Sequence, residues 1–401
     1  MAACARRGGR TESVAMLASH FSRFFADASG LLHFAAHSHH PWPDVTEAAH
    51  ARYWTDSATL ADRKWAHVFG NVVPAAQGHV ARLLSLPDAR QVAFAPNLHE
   101  FCARLFSCLD WSRPVRVLAS AHEFHSFRRQ ARRLAETGRL QLSEIAAEPY
   151  ETFDRRFAEA AATGDWDMVW LSHVFFDSGF VVRDLERIVR AAPAKAIVAI
   201  DGYHAFHAIP VDLSQMHARA FYLAGGYKYA MSGEGACFLA IPPGCDLRPA
   251  DTGWFASFDS LSGRPGEAVP YGADAFRFWG STFDASGLYR FNAVMDWLAG
   301  LGVTVAAVHA HAVRLQSRFI AGLEHLALPR LSVASLVPPA GVPRGNFLAF
   351  DVDHAEDVQR RLAAHGVYID RRDRRLRFGF GVYHDEAAVD ALLEAAGRAL
   401  R

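Results

Sequence analysis

From about residue 91, short apolar segments that favour β-strands alternate with segments that favour helices. Strands are predicted in QVAFAPN, VRVLAS, RLQLSEIAA, DMVWLSHV and KAIVAID, and helices in HEFCARLFSCL, FHSFRRQARRLAETG and DLERIVRAA. Two more apolar runs, AFYLAGG and GACFLAI, flank a glycine-rich turn and are predicted to pair. Apolar strands that alternate with helices are typical of a mostly parallel sheet buried on both faces. The sequence therefore predicts an α/β fold with a seven-stranded, mostly parallel sheet.

The pattern changes after residue 284. Two long helices are predicted in GLYRFNAVMDWLAGLG and VAAVHAHAVRLQSRFIAGLEHL, followed by a strand, a helix, a strand and a helix. This order indicates a smaller α+β unit. We therefore divide the chain into an N-terminal arm (residues 1–40), a large domain (41–285) and a small C-terminal α+β domain (286–401).

The composition narrows the class of protein. The chain has 401 residues, 51% of them hydrophobic and 21% charged, as in soluble globular proteins. Its 42 acidic residues balance its 42 lysines and arginines, which argues against a nucleic-acid-binding protein. The one basic stretch, IDRRDRRLRFGF, is interrupted by aspartates and is interpreted as a solvated strand pair.

The five cysteines do not form a CxxC motif or a disulfide framework, which favours a reducing compartment. The segment MAACARRGGRTESVAMLASHF has no continuous apolar core of the kind found in signal peptides, and no window approaches a membrane span. The expected location is the cytoplasm, without a membrane partner.

Two charged residues stand near the carboxyl ends of predicted strands, where open α/β sheets bind ligands. Asp201 ends the apolar strand KAIVAID, and Lys228 lies in the turn GGYKYAMSGEG. Lys228 is one of only three lysines in a chain that otherwise uses arginine. Only a lysine can lose its proton and form a Schiff base. Taken singly, Asp201 could be a helix cap or a turn residue, and Lys228 could face solvent.

Other residues at strand ends add to this pair. Phe124 follows VRVLAS and could be a core residue or a platform for a flat cofactor. Ser178, which follows DMVWLSHV, could bind a ring substituent or form a turn. Residues 97–99 open a helix directly after a strand, where backbone N–H groups can bind an anion. Together, a lysine, a carboxylate, an aromatic ring and a helix N-terminus fit pyridoxal 5′-phosphate (PLP) better than any other cofactor.

Three stretches resemble motifs of the class V, fold-type I PLP enzymes, and those of kynureninases most closely. They are LSHVFFDSG (171–179), DGYHAFHAIPVDL (201–213) and YKYAMSGEG (227–235). Weaker support comes from PNLH, EFHS, GWF (253–255), FWGST (278–282) and LRFGFGVYHD (376–385). The resemblance spans roughly residues 90 to 390.

The resemblance implies a role for each matching residue. Lys228 would be the catalytic lysine that bonds to PLP and moves protons. Asp201 would pair with the pyridinium nitrogen, and His204 would lie beside it. Phe124 would stack on the cofactor ring. Tyr227 would contact the phosphate and act as a catalytic acid.

Further cofactor contacts follow from the same resemblance. Ser178 would hydrogen-bond near the ring hydroxyl, and Phe94 and Ala95 match the phosphate loop. Trp254 and Ser281 would close the phosphate side from the neighbouring subunit of a homodimer. This arrangement would give each dimer two shared active sites.

The resemblance implies a small-molecule amino-acid substrate, and Arg377 would bind its α-carboxylate. The HSHH segment at residues 37–40 would line the substrate entrance, with Ser38 as a substrate-binding residue. The same histidines could instead be considered a metal site. Consecutive histidines point in different directions and have no acidic partner at a ligand spacing, so we predict no metal.

Several residues depart from the kynureninase pattern. Ala95 stands where a hydroxyl is usual, and Phe127 where kynureninases carry an acid. Phe175 and Asp177 replace Asn and Arg, and His207 stands where the motif has a glycine. These changes surround the cofactor and bear on the substrate more than on the cofactor itself.

Three functions are consistent with the sequence. The first is a kynureninase-like hydrolase that cleaves the Cβ–Cγ bond of a kynurenine-type amino acid and releases alanine. The aromatic residues Trp254, Phe255, Phe278 and Trp279 would suit an aryl substrate. The second is another class V activity: an aminotransferase, a racemase or epimerase, or a C–S lyase. The third, a binding module without catalysis, is disfavoured because Lys228, Asp201 and Arg377 are all retained.

Overall fold

The structure is a computed structural model that describes residues 14–28, 30–260 and 268–401. Residues 1–13 of the predicted N-terminal arm, including Cys4, lie outside the described residues. The strands are β1 (Leu32–His33), β2 (Val92–Ala95), β3 (Val115–Ser120), β4 (Leu140–Ile145), β5 (Met168–Ser172), β6 (Ile197–Asp201), β7 (Ala220–Gly225), β8 (Cys237–Ala240), β9 (Leu336–Val337), β10 (Phe347–Asp351), β11 (Val367–Tyr368), β12 (Asp370–Arg372) and β13 (Arg375–Gly379).

The helices are α1 (Val45–Leu60), α2 (Lys64–His67), α3 (Val73–Leu84), α4 (Leu98–Ser107), α5 (His125–Glu136), α6 (Phe153–Thr163), α7 (Leu185–Ala191), α8 (Ser286–Gly300), α9 (Val305–Leu326), α10 (Ala355–Ala363) and α11 (Glu386–Leu400). Short 3₁₀ segments span Val14–Phe21, Ala61–Arg63, Ala89–Gln91, Tyr150–Thr152, Trp254–Ser260, Ala275–Phe278 and Val333–Ser335, and a π-helical turn spans Val68–Val72.

The large sheet has seven strands in the order β2-β8-β7-β6-β5-β3-β4. Neighbours from β7 to β4 run parallel, whereas β8 is antiparallel to both β7 and β2. Every residue of β5, β6 and β7 is buried, as expected for strands covered on both faces by helices. The predicted α/β fold, including the seven strands and the pairing of the last two, is confirmed.

Helix α4 shows how the sequence positions the site. Asn97 is its N-cap, and the side-chain oxygen of Asn97 accepts a hydrogen bond from the backbone N–H of Glu100 at 3.2 Å. Leu98, Phe101 and Leu105 are buried on one face of the helix. The helix therefore begins directly at the carboxyl end of β2, with its first turn at the edge of the sheet.

The C-terminal part contains a second, antiparallel sheet in the order β12-β13-β10-β9. The basic stretch forms the β12–β13 hairpin, and Asp373 in its turn has φ +48°. Leu376 and Phe378 of β13 are fully buried, whereas Arg372 and Arg374 are exposed. The predicted strand pair is therefore present, but one face of it belongs to the core rather than to solvent.

Two hydrophobic clusters divide the core. The first contains the large sheet together with the buried residues of α8, and the second contains Phe34 and buried residues from Ala312 in α9 onward. Residues of the N-terminal arm join the second unit, because β1 pairs in parallel with β11. The boundary near residue 285 stays a prediction, and α8 packs with the core of the large sheet.

Within the described ranges, no single helix combines the length and apolar character needed to cross a membrane. Helices α8 and α9 meet that test only as a pair bent by 84°.

Candidate active site

Lys228 lies in the loop that follows β7, and only 4% of its surface is exposed. Its Nζ is 2.8 Å from Nε2 of His204. The ring centres of Tyr203, Phe124 and Tyr227 lie 5.3, 5.4 and 5.7 Å from the same nitrogen. The amine is thus enclosed by aromatic surface and one imidazole.

Burial controls the protonation of Lys228. Loss of hydration lowers the pKa of the amine, and the positive charge of Arg377 acts in the same direction. The negative charge of Asp201 opposes this shift but does not cancel it. The environment lowers the pKa of Lys228 to about 7, so the amine can lose its proton near neutral pH and become a nucleophile.

Asp201 ends β6 and is also buried. Its Oδ1 accepts a hydrogen bond from the backbone N–H of Tyr203 at 2.9 Å. Burial raises the pKa of this carboxyl, and the charge of Lys228 opposes that shift. No ion pair within 4.0 Å joins these two described side chains, and both line the same pocket.

A pocket surrounds these groups. Its lining consists of Asn97, Leu98, Phe124, Ser126, Ser172, Phe176, Asp201, Tyr203, His204, Tyr227 and Lys228. The N-terminus of α4 contributes Asn97 and Leu98, and the carboxyl ends of β5 and β6 contribute Ser172 and Asp201. The structure thus brings together five residues predicted as site residues: Lys228, Asp201, His204, Phe124 and Tyr227.

The N-terminal arm packs against this pocket. The backbone N–H of His40 donates to the carbonyl oxygen of Tyr227 at 3.0 Å. The ring of His39 stacks on that of Tyr227 at 5.1 Å, with an interplanar angle of 25°. Ser38 is half-buried beside these residues, with its Oγ 3.4 Å from Nδ1 of His39, but it does not line the pocket.

His37 lies deeper than the rest of the arm. It is fully buried, stacks on Phe347 at 4.6 Å, and has no hydrogen-bond partner at either ring nitrogen. Burial lowers its pKa well below the usual range, and Arg377 and His204 reinforce the shift. Across the described residues, no group of three or more histidine, cysteine or acidic side chains could hold a metal ion.

Arg377 is on β13, and 2% of its surface is exposed. Its guanidinium donates to the carbonyl oxygen of Phe176 and pairs with the carboxylate of Asp370. Burial lowers the pKa of Arg377 to about 10. Arg377 itself does not line the pocket, but the ring centre of the lining residue Phe176 is 5.9 Å from its guanidinium carbon.

Other predicted site residues lie elsewhere in this chain. Phe94, Ala95 and Ser281 line a neighbouring pocket, which also includes Arg104 and Trp279. The chain therefore does not bring Ser281 to its own Lys228.

Trp254 is 43% exposed and stacks on Phe255 at 4.2 Å. Phe255, Phe278 and Trp279 are buried outside the Lys228 pocket. The aromatic residues that suggested an aryl substrate therefore do not line this pocket in the same chain.

Ser178 is buried and faces the turn rather than the pocket. Its Oγ accepts a hydrogen bond from the backbone N–H of Phe180 at 3.3 Å. The serine hydroxyls of the pocket lining belong to Ser126 and Ser172.

The departures from the family pattern also have structural counterparts. His207, where the motif has glycine, has φ +62°, a conformation that glycine adopts without steric cost. Phe127 stacks on Trp170 at 4.6 Å. Asp177 pairs with His122 at 2.6 Å and raises the pKa of that histidine.

Sequence reasoning missed Glu123, which directly precedes Phe124. Its carboxylate accepts hydrogen bonds from the backbone N–H of Ser172 (3.0 Å), the Ser172 hydroxyl (2.6 Å), the indole of Trp170 (3.1 Å) and the Ser120 hydroxyl. Burial raises its pKa to about 7, although the hydrogen bonds oppose that shift. An acid shortly after an apolar strand is the signal that drew attention to Asp201, and the same signal could have found Glu123.

The pocket fits PLP in its chemistry. The cofactor is a flat pyridine with an aldehyde, a ring nitrogen and a phosphate. The pocket offers an amine with a lowered pKa, a carboxyl group, an aromatic ring and the first turn of a helix, which favours anions. Tyr203, Ser126 and Ser172 are additional polar groups within its lining.

Comparison with known proteins points to the same chemistry. A family profile described as Aminotransferase class-V matches residues 32–392. Isopenicillin N epimerase from Streptomyces clavuligerus is 28% identical over 206 residues, which cover 49% of this chain and 50% of that protein. Kynureninase from Pseudomonas fluorescens is 28% identical over 222 residues, covering 54% and 51%. The chain thus aligns with about half the length of these relatives.

Solved structures share the fold at lower identity. The apo cysteine desulfurase from Thermococcus onnurineus NA1 has a TM-score of 0.79 and 17% identity, covering 97% of this chain and 99% of that chain. A mutant of C-DES with glycine covalently linked to its PLP cofactor has a TM-score of 0.80 and 17% identity, covering 94% and 98%. Both likenesses confirm the fold-type prediction.

The family profile covers the strands, the helices and the pocket described above. It confirms the cofactor predicted from the sequence, pyridoxal 5′-phosphate. The chain belongs to the aminotransferase class-V family.

Proposed function

We propose that this protein is a kynureninase-like hydrolase that cleaves the Cβ–Cγ bond of a kynurenine-type amino acid. The products would be alanine and an aryl carboxylic acid, with water supplying the new hydroxyl of the acid. The observation that carries the proposal is the buried, readily deprotonated amine of Lys228 in a pocket with aromatic walls.

PLP supplies an electron sink that stabilises negative charge at Cα of a bound amino acid. Lys228 would hold the cofactor and remove the proton from Cα. His204 lies 2.8 Å from this amine, and burial lowers the pKa of the imidazole well below its usual range. A neutral His204 can therefore accept a hydrogen bond from the amine without competing as a cation.

The pocket walls would orient the cofactor. Asp201 would pair with the ring nitrogen, because a buried carboxylate requires a cationic or hydrogen-bonding partner. Phe124 would cover one face of the ring. Asn97 and Leu98, at the start of α4, would receive the phosphate.

Tyr227 would act as a proton donor. Burial raises the pKa of its phenol, so the hydroxyl stays protonated at neutral pH. The contacts of Tyr227 with His39 and His40 hold it at the boundary between the pocket and the N-terminal arm. Phe176 and the rings of Tyr203 and Tyr227 give the pocket the apolar surface that an aryl group needs.

Arg377 would bind the substrate α-carboxylate. Its buried guanidinium is 5.9 Å from the ring of Phe176, next to the pocket, and its Nε has no hydrogen-bond partner. Substrate binding would satisfy that donor.

The proposal includes a homodimer with shared active sites. Trp254 and Ser281 are exposed and lie away from Lys228 of the same chain, so a second copy would be needed to place them at a cofactor. The four described cysteines are free thiols, which supports a cytoplasmic location.

The cysteines also bear on the choice within the family. No cysteine follows Cys245 in the sequence. Cys102 and Cys237 are buried, and none of the four described cysteines lines the Lys228 pocket. These positions disfavour a desulfurase that uses a cysteine thiol from a late loop.

Incubation of the purified holoenzyme with kynurenine and 3-hydroxykynurenine tests the proposal. Fluorescent anthranilate and an equal amount of alanine are expected from kynurenine. A yellow protein that releases neither product from either substrate would overturn the proposed hydrolase while leaving the cofactor in place.

A second candidate is another class V activity: an epimerase or racemase, an aminotransferase or a C–S lyase. The similarity to isopenicillin N epimerase, at the same 28% identity as that to kynureninase, favours the epimerase within this group. Exchange of the Cα proton with solvent deuterium, without loss of the side chain, would identify an epimerase or racemase. Amino transfer that depends on a keto acid would identify an aminotransferase.

A further inference from the structure

Asp370 lies on β12 opposite Arg377 on β13, so the two side chains share one face of the hairpin. The carboxylate of Asp370 contacts Nη2 of Arg377 directly. The side chain of Arg377 is 3% exposed and that of Asp370 is 13% exposed, so the pair is largely desolvated. A buried guanidinium without a counter-charge is costly, and Asp370 supplies that counter-charge here.

Asp370 has two further neighbours, the cationic side chain of Arg372 and the neutral imidazole of His37. Its Oδ1 is 3.5 Å from Nη1 of Arg372, and its Oδ2 is 3.8 Å from Nε2 of His37. The side chain of Arg372 is 42% exposed, at the outer end of this row. Asp370 can therefore leave Arg377 without becoming an unpaired buried charge.

We propose that Asp370 is a built-in competitor for the substrate carboxylate. It occupies Arg377 in the free enzyme, and the substrate α-carboxylate displaces it toward Arg372. The exchange replaces one carboxylate at Arg377 with another, so the net charge around the buried guanidinium is conserved. A ligand without a carboxylate cannot perform this exchange, which makes Asp370 a specificity-determining residue. The inference rests on the proposed function, in which Arg377 binds the substrate carboxylate.

A competitor and a positioning residue predict opposite effects of the same substitution. If Asp370 only orients Arg377, its loss weakens carboxylate binding. If Asp370 competes, Asp370→Asn strengthens carboxylate binding, because the asparagine side chain keeps the shape but removes the charge that must be displaced. The direction of the change therefore decides between the two.

The test measures binding of propionate to the holoenzyme by titration calorimetry at constant ionic strength, with propionamide as the uncharged control ligand. For Asp370→Asn we expect at least about tenfold tighter binding of propionate than for the wild type, within the range of coupling measured for close charge pairs. Propionamide should bind both proteins equally. Equal or weaker propionate binding by Asp370→Asn overturns the proposal.

Matched variants make the test specific. Asp351→Asn removes a carboxylate of the neighbouring strand β10, which pairs with Arg374 at 2.8 Å and Arg375 at 3.4 Å rather than with Arg377. It should bind propionate as the wild type does, and an equally large gain in this variant would overturn the proposal. Asp370→Glu keeps the competing charge and should restore wild-type affinity.

Arg372→Gln keeps the proposal testable even if Asp370→Asn does not fold. Because Arg372 would receive the displaced carboxylate, its loss should weaken propionate binding, and unchanged binding contradicts the displacement. The calorimetric result does not depend on turnover. If the wild type releases no anthranilate but Asp370→Asn still binds propionate more tightly, the proposed hydrolase activity is wrong and the proposed role of Asp370 stands.

Discussion

Lys228 shares the chain with only two other lysines, Lys64 and Lys195, and it is the only one of the three that is buried. Arginine in its place would keep a cation but could not lose a proton or bond to the cofactor aldehyde. We expect Lys228→Arg to lose the visible absorbance of the holoenzyme and to reduce turnover by at least about a hundredfold. Absorbance spectra before and after borohydride reduction measure the first effect.

Lys195→Arg is the matched control for that substitution. Lys195 is exposed and pairs with Asp165 at 2.7 Å, so its charge should be replaceable. Lys195→Arg should keep both the visible absorbance and the turnover of the wild-type holoenzyme. A yellow, borohydride-sensitive Lys228→Arg protein would show that Lys228 is not the residue that binds the cofactor.

Glu123 should make stability depend on pH. Its pKa rises from 4.5 to about 7 on folding because it is buried, so between these pH values the folded protein holds a proton that the unfolded chain has released. The contribution of Glu123 to stability is therefore present below pH 4.5 and is lost as pH rises toward 7. We expect the free energy of unfolding of the wild type to fall across this window by roughly 2–3 kcal/mol more than that of Glu123→Gln.

Urea unfolding at several pH values measures this difference. Glu136→Gln, at an exposed glutamate that pairs with Arg133, should follow the wild-type curve. Parallel curves for the wild type and Glu123→Gln would mean that the carboxyl of Glu123 does not change its proton affinity on folding.

At the scale of elements, the strands of the large sheet could be predicted from the sequence better than the helices and strands around it. Strands β5, β6 and β7 are apolar throughout, so their burial could be predicted from the residues alone. Helix α6, between β4 and β5, was not predicted, because the polar residues of FDRRFAEAAAT obscure its four buried positions. The stretch after α10 was predicted as one strand from the order of elements and as a strand pair from its charge pattern. It folds as three short strands, because the chain turns at Asp373 and brings Asp370 opposite Arg377.

Gly379, at the end of β13, is where the N-terminal arm docks on the second sheet. A Cβ at this position would lie 2.3 Å from Nδ1 and 2.8 Å from the backbone nitrogen of His37. The backbone N–H of Gly379 also donates to the carbonyl oxygen of Phe34 at 2.7 Å. We expect Gly379→Ala to push the arm away and to destabilise the protein by about 1–3 kcal/mol.

Limited proteolysis of the arm and thermal unfolding check this prediction together. Gly78→Ala is the control, because Gly78 is within α3 and a Cβ there meets nothing within 4 Å. It should raise stability by roughly 0.5–1 kcal/mol, as alanine does in helix interiors. Equal protease resistance of the arm in Gly379→Ala and the wild type would contradict the docking.

At the scale of the whole molecule, the site is assembled from parts far apart in the sequence. Asp201, Lys228 and Phe124 could be recognised because each follows or ends an apolar strand. The contact of His40 with Tyr227 could not be recognised, because the residues between them contain most of the large domain. The pairing of β1 with β11 is equally remote in sequence. Local sequence patterns thus indicated the chemistry of the pocket, whereas only tertiary packing shows that the N-terminal arm lies against it.

Shared active sites are the last expectation at this scale. Trp254 and Ser281 are exposed in one chain and do not line its Lys228 pocket, so they could serve a cofactor only in a second copy. We expect Lys228→Ala and the double variant Trp254→Ala/Ser281→Ala each to have little activity alone. In a mixed dimer, one site would combine Lys228 of the double variant with Trp254 and Ser281 of the other subunit. Because a purified mixed dimer would have one intact site of its two, its activity should recover to about half of the wild type.

Co-expression of the two variants with different affinity tags isolates the mixed dimers for this assay. Pairing Lys228→Ala with a triple variant that also lacks Lys228 should give no recovery, because no site would then contain the lysine. If each site is built within one chain, the mixed dimer has one site without Lys228 and one without Trp254 and Ser281. Purified mixed dimers would then stay as inactive as their parents, and that result would exclude the contribution of a second subunit.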